Sequence, residues 1–185
     1  FSEPAVRLFQ WLNDNNPNPY SAFIDAGDFS VVSASPELFM NYSDGRICTC
    51  PIKGTRPRIN PDQPQAESKN RAYFDQLLRS SKDQAELNMI IDLERNDLTR
   101  ICEYGTIKVV QPRTVVSLPT VYHAVATVAG KARPGCTLSS AMKALFPGGS
   151  ITGAPKIRSM QLINELEPTA RGPYTGAIGY ISIND

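Results

Sequence analysis

The chain has 185 residues, 41% hydrophobic and 20% charged, with 19 Lys and Arg against 18 Asp and Glu for a net charge of +1. That length and balance suit a folded chain with one sizeable core and exclude a disordered one. The near-neutral charge argues against bulk binding to nucleic acid and leaves room for a local basic pocket that takes a small anion. No apolar run is long enough to cross a bilayer and no signal peptide is recognisable, so the expectation is a soluble cytoplasmic protein with no membrane partner. Cys48, Cys50, Cys102 and Cys136 lack the paired spacing of a metal site and read as free thiols of a reducing compartment. The chain opens on Phe1 and stops inside a strand-like pattern, Gly179–Asp185, as a piece of something longer would.

Residues Pro4 to Leu12 have helical spacing, with Val6, Phe9 and Leu12 on one side, and they end in the turn cluster NDNNPNP. Short alternating runs follow at Ser21–Asp25, Phe29–Ala34, Leu38–Tyr42 and Arg46–Cys50, which read as one antiparallel meander. Asp44-Gly45 is its strongest turn signal, because both residues tolerate the positive φ of a two-residue hairpin. The meander delivers Glu37, in the Ser35-Pro36-Glu37 corner, and Lys53, which stands after the last strand and before Gly54, Arg56 and Arg58. Gly54 permits close approach of a ligand to the backbone, so the stretch can set an amine against an anion. A solvated basic turn is the plainer reading of the same residues.

A Pro-rich loop, Asn60 to Gln65, leads to a polar helix over Ala66–Arg79. Ser81-x-x-Gln84 then predicts a capping box for a long helix running to about Cys102. Its apolar arc holds Leu87, Met89, Ile90, Ile91, Leu93, Leu98 and Ile101, and Glu86, Glu94 and Asp97 fall within the same arc. A buried carboxylate needs a cation, either a Lys or Arg or a divalent metal of the Mg²⁺ type, and periodicity does not choose among the three acids. Strand-like runs return at Gly105–Val110 and Thr114–Ala129, the second carrying the single histidine, His123.

Thr137 caps a short helix, Leu138 to Phe146. After it, GGSITGAPK at Gly148–Lys156 reads as a helix N-terminus with free amides, a place for an anion, with Ile157, Ile163 and Leu166 on the apolar side of the helix that follows. It is not a nucleotide P-loop, since Ala154-Pro155 stands where Lys and Ser/Thr belong. Gly172 to Ile181 reads as a turn and a Gly-rich strand with Tyr174 at its start.

Taken together, Ser35-Pro36-Glu37, PIKGTR at Pro51–Arg56, Ala85-Glu86 with MIIDLERND at Met89–Asp97, FPGGSITGAPK at Phe146–Lys156 and RGPYTG at Arg171–Gly176 resemble the chorismate-utilising enzymes. These comprise the large subunits of anthranilate synthase and aminodeoxychorismate synthase, with isochorismate and salicylate synthases as relatives. The resemblance covers nearly the whole chain in order, and residues 1–185 read as one partial chorismate-binding domain. It implies an α+β fold of layered antiparallel sheets with outer helices. Lysine at position 53, where anthranilate synthases carry alanine, points to aminodeoxychorismate synthesis on the way to p-aminobenzoate and folate.

The resemblance implies Lys53 as nucleophile, Glu37 as the acid for the leaving hydroxyl and His123 as the residue that orients it. It implies contacts of Gly54, Thr55, Gly153, Ala154 and Tyr174 with the substrate carboxylates, Glu86 as a ligand of Mg²⁺, and a glutaminase (glutamine amidotransferase) partner that supplies ammonia. Arg56 and Arg58 are expected beside the Lys53 amine. Further metal and carboxylate ligands of the family lie beyond Asp185, so the isolated chain is expected to lack full activity. Other chorismate reactions and a non-catalytic fragment are the competing expectations.

Overall fold

The computed structural model describes residues 4–182. It has the mixed α+β architecture, with antiparallel sheets and helices, that the sequence predicts. Helix α1 (Ala5–Asn15) packs on a hairpin of β1 (Tyr20–Asp25) and β2 (Ser30–Ser35), which forms a two-stranded sheet of its own. The expected single meander is therefore broken after β2. At that corner Ser35 Oγ accepts a hydrogen bond from the Glu37 N–H at 3.3 Å, and Pro36 has no amide to continue a ladder.

The chain then enters a five-stranded sheet of β3 (Leu38–Ser43), β4 (Arg46–Cys50), β5 (Ile52–Pro57), β6 (Lys108–Ser117) and β7 (Val121–Lys131). Asp44 and Gly45 close the β3–β4 hairpin with φ of 51° and 68°, as the turn chemistry demands. Strands β4 and β5 run along one edge of β7 as a single interrupted strand, with Thr49 opposite Val128, Ile52 opposite Val125 and Thr55 opposite His123. Strand β6 takes the other edge of β7. The two runs expected around residues 105–129 divide differently: Gly105 lies in a turn with φ of 77°, and Pro119 sits in the connection where Leu118 N–H meets Val121 C=O at 2.9 Å. Central β7 is buried on both faces, which its small residues Ala124, Ala126 and Ala129 allow.

Helix α2 (Ala66–Arg79) has the bounds expected of it. Helix α3 (Ser81–Thr99) lies against β5 and β7 and presents Leu87, Ile91 and Leu98 to Ile47, Ala126 and Val128. Each such side chain, fully buried, contributes roughly 1.5–3 kcal/mol of transfer free energy. Its cap is Ser80, not Ser81: Ser80 Oγ accepts the Asp83 N–H at 3.2 Å. The helix start shifts by one residue because Asp83, not Gln84, occupies the third turn position, and its buried carboxylate meets Arg56 Nη2 at 2.9 Å. Met89 lies outside the core and is 48% exposed.

Helix α4 (Leu138–Leu145) carries the Thr137–Ser140 capping box and adds Ala141, Ala144 and Leu145 to the core. Helices α5 (Gly149–Thr152) and α6 (Lys156–Leu166) follow. Ile157 and Leu166 of α6 are 69% and 77% exposed and Ile163 is half-buried, so the apolar side expected there is only partly covered among the described residues. From Gly172 to Ile181 the chain forms turns and then irregular backbone in place of the predicted strand; Ile183–Asp185 lie outside the described residues. All four cysteines are free, and no helix among the described residues is long and apolar enough to cross a membrane.

Candidate active site

Lys53 sits in an irregularity of β5, where the pairing with β7 shifts between Ile52 and Thr55. Gly54 makes the shift possible with φ of 94°. Its lack of a side chain serves packing: a Cβ there would stand 2.9 Å from Leu77 Cδ1 and 3.0 Å from Asp83 Cβ. The side of Gly54 that a Cβ would occupy is taken by α2 and α3. The irregularity aims Lys53 at α5, and its Nζ donates to Ser150 C=O at 3.4 Å.

Glu37 arrives at the same place from the β2–β3 corner. Burial pushes its carboxyl above the ordinary value, and Ser150, the Lys53 ammonium and the Ile52 amide partly offset that push. Ser150 Oγ approaches Glu37 without full hydrogen-bond geometry and is a buried hydroxyl with no hydrogen-bond partner of its own. His123, opposite Thr55 in the ladder, shares a hydrogen bond with Thr55 Oγ1 through Nδ1 at 2.9 Å. Burial holds the imidazole below its ordinary value, against a smaller contrary effect of the Gly54 backbone, so the ring is neutral at neutral pH. Lys53 and Glu37 thus meet beside Ser150, and Thr55 meets His123 across the β5–β7 ladder.

Other expected members lie elsewhere. Arg56 turns to Asp83 and to Gln76 Oε1 at 3.0 Å, and Arg58 donates to Leu118 C=O at 3.0 Å, so the two arginines tie the sheet to its surroundings and form no basic pocket with Lys53. Gly153, with φ of 95°, and the exposed Ala154 form the α5–α6 link and do not line the cavity that holds Glu37. Pro155 precedes the first turn of α6, one residue earlier than expected.

That cavity, of ≈ 300 Å³, lies between the β2–β3 corner, α3, the 145–151 segment and residues 175–177. Tyr174, 74% exposed, lines a neighbouring cavity of ≈ 420 Å³ with Arg171 and α6, which shares Phe146, Ile151, Thr175 and Gly176 with the first. The tyrosine adjoins the Glu37 cavity without entering it.

The three acids expected on the apolar arc of α3, Glu86, Glu94 and Asp97, find three different partners. Asp97 is buried and paired with Lys156 Nζ, which also donates to Leu145 C=O at 3.1 Å. Glu86 is half-exposed and faces Lys82 at 3.8 Å. Glu94 lines the cavity with only a neutral donor, Thr49 Oγ1 at 2.6 Å. Burial raises the Glu94 carboxyl to about 7, aided by the charges of Glu37 and Asp97 and opposed by Thr49 and Lys156.

Among the described residues no three His, Cys, Asp or Glu side chains converge to hold a metal ion, so these residues do not by themselves form the expected Mg²⁺ site around Glu86. Sequence reasoning named Glu94 among the acids without singling it out, and passed over Thr49 and Ser150. The alternation of Ile47 and Thr49 on the buried face of β4 was the available signal for the first.

A family profile described as chorismate binding enzyme matches residues 1–185, and the chain belongs to that family. It is 41% identical over 184 residues to anthranilate synthase component 1 of Pseudomonas putida, covering 100% of this chain and 36% of the relative. It is 44% identical over 176 residues to aminodeoxychorismate synthase component 1 of Salmonella typhimurium, covering 95% and 38%. The solved structure of anthranilate synthase component I from Streptococcus pneumoniae superposes with a TM-score of 0.84 at 36% identity, over 98% of this chain and 39% of that one. The chain spans little more than a third of the length of the relatives it matches.

Proposed function

We propose that the protein containing this chain converts chorismate and ammonia to 4-amino-4-deoxychorismate, with Lys53 as the nucleophile. The observation that carries the reading is the meeting of Lys53 and Glu37 at Ser150: an amine and a buried carboxyl with a raised proton affinity share one spot beside a cavity. The Lys53 amine bonds to C2 of chorismate, the C4–O bond breaks, and the oxygen leaves as water with the proton of Glu37. Ammonia then bonds to C4, the C2–N bond breaks, the amine returns to Lys53 and Glu37 regains a proton. Neutral His123, steadied by Thr55, orients the departing hydroxyl.

Backbone contacts at Gly54, Thr55, Gly153 and Ala154, and the hydroxyl of Tyr174, belong to this reading as partners of the two substrate carboxylates. Mg²⁺ belongs to it as an ion that Glu86 would help to hold and that would supply positive charge for a substrate carboxylate; the described residues do not complete its ligand set. A glutamine amidotransferase partner that supplies the ammonia, a cytoplasmic location and a place in p-aminobenzoate synthesis complete it.

The test is mass spectrometry of the full-length protein with chorismate, Mg²⁺ and no ammonia. A chorismate-derived adduct on Lys53 is expected. Its absence, together with unchanged turnover of Lys53→Ala, favours the second reading, anthranilate synthesis, which the 41% identity to an anthranilate synthase component 1 supports.

A further inference from the structure

Glu37 and Glu94 line one cavity, and their surroundings separate them from the third acid there. Asp97 has a cation of its own in Lys156, which ties it to the start of α6. Glu94 has no cation in contact; Thr49 Oγ1 holds one of its oxygens at 2.6 Å from the adjacent strand. The groups facing it are Glu37 from the β2–β3 corner, Asp97 from its own helix, Lys156 from α6, and Thr49 and Cys50 from β4. Glu37 has Lys53, Ser150 and the Ile52 amide beside it, and Lys156 stands on Asp97, so no cation contacts Glu94; two carboxyls enclosed together in this way share a proton more readily than either holds one alone.

We infer that Glu94 is a positioning residue for the proposed reaction, forming with Glu37 a coupled pair that keeps one proton inside the cavity at neutral pH. This rests on the reading of Glu37 as the acid for the leaving hydroxyl. The proton that departs with water is then drawn from a pair that retains it over a wider pH range than either carboxyl does alone. Thr49 sets the balance, since its hydroxyl favours the charged form of Glu94.

The coupling predicts shifts of opposite sign in the full-length protein. With Glu94→Gln the remaining acid loses its proton earlier, and the alkaline limb of the pH–rate profile moves down by roughly half a unit or more. Thr49→Val withdraws the donor from the charged form and moves the limb up, whereas Thr49→Ser keeps the donor and leaves it in place. Infrared spectra of the protonated carboxyl band, recorded without substrate, must shift with the same signs, which separates the coupling from turnover. Bands and limbs that stay put, or that move in the same direction in Glu94→Gln and Thr49→Val, overturn the inference. Normal turnover of Glu37→Gln removes the acid of the parent reading and the role of Glu94 in turnover with it, even where the bands shift.

Discussion

The Lys53 corner, which borders the cavity that Glu37 lines, and the segment from Phe146 to Ala177, which contributes to its wall, are held in place by different means. In the corner, positions follow from a ladder: β5 pairs with β7, so Thr55 lies opposite His123, and Gly54 is locked by Leu77 and Asp83. The later segment has no ladder. It is held by one buried ion pair, Lys156 to Asp97, and by the fit of Gly149 against Leu93, where a Cβ would stand 2.7 Å from Leu93 Cδ2. A site assembled from both therefore has one wall fixed by many backbone bonds and another fixed by a few side-chain contacts.

The strongest way to separate the two walls is Lys53→Ala. It is expected to abolish the adduct and lower aminodeoxychorismate formation on the order of 10³-fold or more, while the melting temperature of the full-length protein stays near that of the parent. Asp97→Ala attacks the other wall. It leaves Lys156 buried and unpaired, and urea denaturation should show a loss of about 3–5 kcal/mol, partly recovered in Asp97→Ala with Lys156→Met.

Glu94→Gln tests the cavity between them. The native state holds the Glu94 proton to about 7 while the unfolded chain releases it near 4.5, so the residue weakens the fold progressively as pH rises across that window. The variant should match the parent below pH ~4.5 and exceed its stability above pH ~7 by something on the order of 3 kcal/mol, read from denaturation at the two pH values. Gly54→Ala adds a Cβ where two helices touch, at a φ that L-residues avoid, and should cost about 2 kcal/mol by the same measurement. The smallest effect is expected from Glu167→Gln, whose exposed pair with Arg171 should leave the melting temperature unchanged.

The same contrast explains what could be read in advance. Asp44-Gly45, the Thr137 cap and the bounds of α2 depend on neighbours in sequence, and they stand where local chemistry puts them. The break after β2 depends on which sheet a strand joins, and alternation carries no such information. Arg56 read as part of a basic pocket because its partner, Asp83, lies 27 residues away on another element. Helical spacing placed Glu94 and Asp97 on one arc, but the choice of a lysine for Asp97 was made by Lys156, 59 residues further on. Of the turn and Gly-rich strand expected over Gly172–Ile181 the turn formed and the strand did not, for a related reason: glycine-rich alternation shows a capacity for close approach and names no partner to approach.

One consequence follows from how Gly54 is wedged. The neighbouring helices grip the chain at the glycine, and the Lys53 side chain reaches across to the Ser150 carbonyl of α5 and to Glu37. The backbone at position 53 is thus held from its neighbour and not by its own side chain. Under the proposed reading, a single codon change there would exchange the reacting headgroup while the glycine that holds the backbone stays in place, which makes position 53 a natural first position for redesign.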